Sequence, residues 1–345
     1  MKIAIVFGAK SFEHEISIVS AIAMKEVLKN TQLVYIFIDK NREFYLIPTN
    51  TITSKVFSSG EYKQYPKLDI KQNGFYQKGL FGDKKIDFDV VLNLTHGGDG
   101  EDGVLASLFT FFHIPFIGPR NIASVVSVDK FITKQYASNM GVKTLSCQYY
   151  HKTNDIKIEN FPVIIKPCKL GSSIGVSIVK NKDEVEYALD VAFEFDDDII
   201  VEEFIDNVKE YNLAGAKIDG EIVFSIVEEP QKEEFLDFDK KYLDFNRTKR
   251  VNEANISEDL VAKLKDNFTK IYNTTFEGSL IRCDFFVIDD EVYLNEINPI
   301  PGSMANYLFD DFENTLLSLA KNLPQQKHIP ITYDYVNKIQ SAKGK

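Results

Sequence analysis

The chain has 345 residues, 44% hydrophobic and 26% charged, which is ordinary for a soluble globular protein and long for a single core, so two or three domains are expected. A net charge of −11 argues against general nucleic-acid or anionic-membrane binding, yet allows a small anionic ligand in a cleft with a few local cations. Three scattered cysteines (Cys147, Cys168, Cys283), no signal-like run before Gly8 and no stretch near the ~18 apolar residues of a membrane helix together suggest a cytoplasmic protein.

Residues 2–7 (KIAIVF) read as a buried strand, 17–29 as an amphipathic helix, and 33–38 and 88–94 as strands. A helix over 103–112 and a short strand ending at Gly118 continue an alternation that predicts a parallel sheet covered by helices. Residues 43–86 read as a peripheral insertion of short strands and polar turns. Asp129 is the expected N-cap of a helix over 129–140 that closes at Gly141. Short strands at 144–150, 162–167, 175–179 and 199–204 then surround a helix near 183–192. Strands at 210–217 and 221–228 lead into a charged stretch, 229–250. Ser257 caps a helix whose Leu260, Leu264, Phe268 and Ile271 share one face. A strand pair, 280–288 and 292–298, precedes a last helix near 310–321. The predicted class is α/β, mixed α+β toward the C-terminus, in three domains: 1–120, 121–204 and 205–345.

The stretch "IIKPCKLGSSIG" (164–175) contains Gly171-Ser172-Ser173-Ile174-Gly175, the G-x-S-x-G pattern of a serine hydrolase. A nucleophile elbow needs a helix after the serine, whereas "GVSIVKN" alternates like a strand. A glycine-rich loop between two strands can instead close its N–H groups over phosphate oxygens, with Lys166 and Lys169 as nearby cations. A purely structural turn is not excluded by the loop alone. No P-loop occurs, and no G-x-G-x-x-G follows the first strand, which argues against a P-loop NTPase and against NAD.

The segment "IRCDFFVIDDEVYLNEINPIPG" (281–302) reads as an antiparallel hairpin. Asp284 opposite Glu296 and Arg282 opposite Asn298 share one register if the turn centres on Asp290, placing all four on one face. Cys283, Phe285, Val287, Tyr293 and Ile297 then take the other face. Facing carboxylates repel unless a cation lies between them, and Asp, Glu and Asn oxygens suit Mg²⁺. A solvated polar face is the alternative.

A lysine-led glycine loop followed by Asp…Glu-x-Asn on a hairpin resembles the ATP-grasp superfamily. "FEHEIS" (12–17), "HGGDGEDG" (96–103) and "NEINPIPG" (295–302) narrow the resemblance to the D-alanine–D-alanine ligases, in order over about residues 3–310. The resemblance implies a parallel-sheet substrate domain (1–120), a central ATP-grasp subdomain (121–204), a catalytic domain (205–345) and a homodimer. It also implies ATP, two Mg²⁺ (or Mn²⁺) ions, and ligation of two D-alanines through an acyl phosphate for peptidoglycan precursors. An ATP-grasp ligase of another carboxylate–amine pair is the runner-up.

By the same resemblance, Glu13 holds the first substrate's ammonium and His96 lines its pocket. Lys130, Lys166 and Lys241 reach the ATP phosphates under the loop carrying Ser172 and Ser173. Ser172 joins Glu13 to Tyr242 of a lid within 229–250, and Tyr242 speaks for a peptide product. Glu202, Glu203, Phe204 and Ile205 contact the adenine through backbone groups and apolar surface, and Glu210 the ribose. Arg282 and the Gly302 N–H stabilise an oxyanion, and Asp284, Glu296 and Asn298 bind the metal. Two departures stand out. Ala9 follows Gly8 where the family usually has a second glycine, and Tyr307, followed by Leu308, replaces a serine that helps hold the second substrate's carboxylate.

Overall fold

The computed structural model describes residues 1–230 and 250–343. Strand β1 (Lys2–Gly8) lies inside an eight-stranded sheet of order β6-β5-β4-β3-β2-β1-β7-β8. Its run is apolar throughout because both faces are covered. Ile3, Ile5 and Phe7 pack with Ile18 and Met24 of helix α1 (His14–Val27), and Ala4 and Val6 with Leu105 and Phe109 of α4 (Val104–Phe111). Strands β2 (Gln32–Ile38), β7 (Val90–Asn93) and β8 (Phe116–Ile117) extend the sheet in parallel.

The 43–86 segment is not a peripheral insertion. Strands β3 (Phe44–Ile47), β4 (Lys67–Lys71), β5 (Gly74–Gln77) and β6 (Lys84–Lys85) extend this same sheet antiparallel, beside the short helix α2 (Ser54–Ser58). Short connections suffice for antiparallel neighbours, so polar turns in this stretch were hairpin corners rather than an excursion. The sheet is therefore mixed.

Helix α3 (Gly98–Glu101) follows β7. Helix α5 (Asn121–Val128), which the periodicity did not reveal, abuts α6 (Lys130–Asn139). Asp129 breaks the two, its Oδ1 accepting from the N–H of Phe131 and of Ile132 at the new N-terminus.

A second sheet of order β11-β10-β12-β9 combines β9 (Cys147–His151), β10 (Val163–Pro167), β11 (Ser177–Val179) and β12 (Asp198–Glu203), packed on α7 (Val185–Phe193). The third, β14-β13-β15-β16, contains β13 (Lys209–Ile218), β14 (Glu221–Glu228), β15 (Ile281–Ile288) and β16 (Glu291–Asn298). Helix α8 (Glu258–Thr275) is capped by Ser257, whose Oγ accepts from Leu260 N, and it buries Leu264, Phe268 and Ile271 against this sheet. Helix α9 (Phe312–Lys321) sends Leu316 and Leu319 back into the β1 core, tying the last sheet to the first. A terminal helix, α10 (Asp334–Lys343), was not foreseen.

The β15–β16 hairpin reaches the expected pairing by a different route. Arg282 pairs with Asn298 and Asp284 with Glu296, but Ile288 pairs with Glu291. The turn is the two-residue Asp289-Asp290, both left-handed at φ 50° and 63°, rather than one centred on Asp290. A bulge between Asp284 and Phe285 on one strand and Glu296 and Leu294 on the other absorbs Asn295 and restores the register. Between the turn and the bulge Tyr293, expected among the apolar residues, lies opposite Phe286 on the face of Asp284; Val292 and Leu294 join the core beside the expected Ile297.

Candidate active site

One cleft collects segments of all three sheets. Glu13, Gly97 and Glu101 line it from the first, Lys130 and Gly171 from the middle segment, and Asn295 to Pro299 from the last. The glycine loop and the carboxylate hairpin thus face one cavity.

The loop leaves β10 and returns as strand β11, antiparallel to it, with no helix following Ser173. That is not a nucleophile elbow. Ser172 and Ser173 adopt φ 54° and 59°, a conformation that disfavours side chains, so the tertiary contacts must hold the tip. One such contact is Ser172 Oγ, which donates to Glu13 Oε1 at 2.5 Å. Lys130 Nζ pins the loop from below through the Leu170 carbonyl. Lys169, expected as a second cation for the ligand, is held by Asp198 at 2.7 Å and Asp196 at 3.3 Å. Lys166 Nζ lies 2.7 Å from Glu202 Oε2. Burial pushes the Lys130 ammonium below its usual range, and Lys166 adds to this against the opposing carboxylates of Glu296 and Glu13.

Glu13 occupies the N-cap position of α1 but makes no side-chain cap bond. Its carboxyl is buried and turned to the loop. Burial, then Glu101, raises its pKa, while Ser172, His96 and Lys130 oppose the rise. The close fit explains the glycines of "HGGDGEDG": a Cβ on Gly97, itself at φ +61°, would sit 2.5 Å from Glu13 Oε2. His96 is 3% exposed; its Nε2 lies 3.0 Å from Ser20 Oγ and its Nδ1 3.8 Å from Glu101. Ser20 also accepts from the Ser303 N–H at 3.5 Å, linking the His96 wall to the turn after Gly302. Ala9 takes φ 65° and donates its N–H to the Ile38 carbonyl, the left-handed form that a second glycine would supply.

The raised Glu13 pKa carries a sign. A carboxyl whose folded pKa exceeds its unfolded value destabilises the fold as pH rises from about 4.5 through the folded pKa. Glu13→Gln should therefore raise the unliganded Tm by about 2 °C at neutral pH, with the gain vanishing below about pH 4. A thermal melt across pH checks this, and an equal shift at every pH would contradict it.

On the hairpin, Arg282 grips Asp284 with two bonds, Nε to Oδ1 at 2.7 Å and Nη2 to Oδ2 at 2.8 Å. Asn298 Nδ2 donates to the same Oδ2 at 3.0 Å. Burial outweighs Arg282, and with Glu296 nearby the Asp284 pKa is pushed up to about 6. Among the described residues no group of three or more His, Cys, Asp or Glu side chains is placed to hold a metal ion by itself. The available donor set is thus two carboxylates and one amide, suited to a hard divalent ion that keeps waters, whose charge would offset the carboxylate repulsion. Glu210 and Asn212 of β13 lie on the same face, with Asn212 opposite Asp284 and donating to Glu228 at 3.1 Å. Beyond Gly302 the chain makes a left-handed turn through Ser303, Met304 and Ala305, which returns Tyr307 to Arg282; Arg282 Nη1 donates to the Tyr307 hydroxyl at 3.3 Å. Leu308 is fully buried.

A family model described as "D-ala D-ala ligase N-terminus" matches residues 2–119, and "D-ala D-ala ligase C-terminus" matches 139–312. The chain belongs to the D-alanine–D-alanine ligase family. The D-alanine–D-alanine ligase of Sulfurovum sp. is 60% identical, and that of Wolinella succinogenes 59%, each over 100% of both chains. The crystal structure of D-alanine–D-alanine ligase from Helicobacter pylori superposes with a TM-score of 0.85 at 49% identity, covering 95% of this chain and 100% of that one. The VanG D-Ala:D-Ser ligase of Enterococcus faecalis follows at TM-score 0.73 and 25% identity, over 92% and 99%. The fold is that of the ATP-grasp ligases.

Among the residues drawn from the ligase resemblance, Glu13, Lys130, Glu296 and Asn298 line the cleft, and Ser172 is bonded to Glu13. Glu202 is buried; Glu203 is exposed, with Phe204 and Ile205 half-buried after it. Lys241 and Tyr242 lie outside the described residues. Sequence reasoning missed Glu101, Ser20, Asn212 and Lys134. Only Glu101, inside "HGGDGEDG", and Lys134, four residues after Lys130, carried a signal. No helix among the described residues is long and apolar enough to cross a membrane.

Proposed function

We propose that this chain uses ATP to join two D-alanine molecules into D-alanyl-D-alanine for peptidoglycan precursors. The observation that carries this is a cleft lined jointly by Glu13, Lys130, the glycine loop and the Glu296–Asn298 strand, in a chain 60% identical to a D-alanine–D-alanine ligase over its full length.

In this reading the first D-alanine's ammonium pairs with Glu13, which Ser172 and the His96 wall orient. Its carboxylate oxygen attacks the γ-phosphorus, the bond to ADP breaks, and an acyl phosphate forms. The neutral amine of the second D-alanine then attacks the carbonyl carbon. Arg282 and the Gly302 N–H stabilise the resulting oxyanion, phosphate leaves as the C–O bond breaks, and the amine loses its proton. Tyr307 and Leu308 bound the second substrate's site, with the Tyr307 hydroxyl in place of the family's serine.

Lys130, Lys166 and Lys241 neutralise the phosphates beneath the Ser172-Ser173 loop. The 202–205 segment (Glu202, Glu203, Phe204 and Ile205) holds the adenine through backbone groups and apolar surface, Glu210 the ribose, and Tyr242 closes the lid over Ser172. Mg²⁺ (or Mn²⁺), as two ions on Asp284, Glu296 and Asn298, would supply charge neutralisation at the transferring phosphoryl group. Residues 1–120, 121–204 and 205–345 form the substrate, central and catalytic domains, a division supported by three separate sheets.

Phosphate release with ATP, Mg²⁺ and a panel of D-alanine, D-serine, D-lactate and L-alanine tests the reading. D-alanine alone should give turnover and dipeptide. Silence with D-alanine, or faster turnover with another acceptor, would contradict it.

A further inference from the structure

Helix α6 carries two lysines one turn apart, Lys130 and Lys134. Lys130 serves the cleft directly. Lys134 is 5% exposed; it donates to the Leu145 carbonyl at 3.1 Å and is ion-paired with Glu202 Oε1. The other oxygen of Glu202 holds Lys166, whose side chain is 13% exposed. Two cations therefore share one buried carboxylate, an oxygen each, with one positive charge left over.

That arrangement has a consequence for Lys166. An ammonium has three donors, and with Oε1 taken by Lys134 only one of them is committed to Glu202. Remove Lys134 and the carboxylate is buried with a single partner, which draws Lys166 across both oxygens and cancels the surplus positive charge. We propose that Lys134 is a positioning residue for nucleotide binding, occupying half of Glu202 so that Lys166 keeps donors and charge for the ligand. The inference rests on reading Lys166 as a nucleotide contact.

Calorimetric titration with a non-hydrolysable ATP analogue and Mg²⁺ tests it without any amino-acid substrate. Lys134→Met should weaken binding by about tenfold or more, and Lys134→Arg should stay within about threefold of the parent. Adding Glu202→Gln to Lys134→Met should restore binding, because the neutral amide no longer captures Lys166. A merely structural link between α6 and β12 would show no such rescue. Parent-like binding by a folded Lys134→Met variant, or a double variant as weak as the single one, would overturn the inference. Should Lys134→Met fail to fold, Glu202→Gln alone decides: freeing Lys166 should tighten binding by about threefold or more, and an unchanged or weaker affinity would overturn it. If the parent binds no nucleotide, the ATP reading itself fails, and the two failures stay distinguishable.

Discussion

Exchanging Arg282 for methionine lowers kcat by about 10²–10³-fold, the loss typical of one oxyanion donor. The same change strips Asp284 of both its guanidinium bonds and leaves a buried carboxylate facing Glu296. Breaking a buried pair from one side costs about 3–5 kcal/mol, so the thermal midpoint falls as well. Arg282→Lys keeps the charge but not the two-pronged grip, so it recovers stability better than rate. Steady-state kinetics on folded protein, with melts in parallel, checks both halves. A folded methionine variant within about tenfold of the parent kcat would show that Arg282 only braces the hairpin.

The second large effect is expected at Glu296. Glu296→Gln keeps the shape but removes one of the two facing carboxylates. Its kcat falls by about 10²-fold or more, and the divalent ion needed for half-maximal rate rises by about tenfold or more. A binding readout should move with it. In the parent, Mg²⁺ plus a non-hydrolysable ATP analogue raises Tm by mass action, and in the variant that rise shrinks or disappears. Without metal the order reverses: relieved of the repulsion on Asp284, the variant melts higher than the parent. Equal metal dependence in both proteins would remove Glu296 from the ion's site.

These residues were legible because β-strand geometry is regular: side chains alternate and paired residues keep a fixed register. The register of Asp284 with Glu296 came out as expected although the turn did not. A two-residue turn at Asp289-Asp290 shifts the pairing by one, and the bulge at Asn295 shifts it back. Pattern reading could not see two offsetting irregularities, and Tyr293, which lies between them, landed on the wrong face.

The 43–86 stretch failed for another reason. Short strands joined by polar turns look alike whether they form a separate excursion or the antiparallel half of an existing sheet. The local sequence around Glu13 does not say where its carboxyl points, and only the bond to Ser172, contributed by a loop far along the chain, shows it. Lys134 carried the faintest signal. Its spacing from Lys130 puts both on one side of α6, but nothing local announces that Glu202, from another strand, lies between it and Lys166.

Feeding D-alanine labelled with ¹⁸O in its carboxylate, together with unlabelled ATP and Mg²⁺, tests the mechanism most directly. Activation by phosphorylation of that carboxylate requires one labelled oxygen to leave with inorganic phosphate each time a dipeptide forms. Dipeptide accompanied by unlabelled phosphate would contradict an acyl-phosphate path through this cleft.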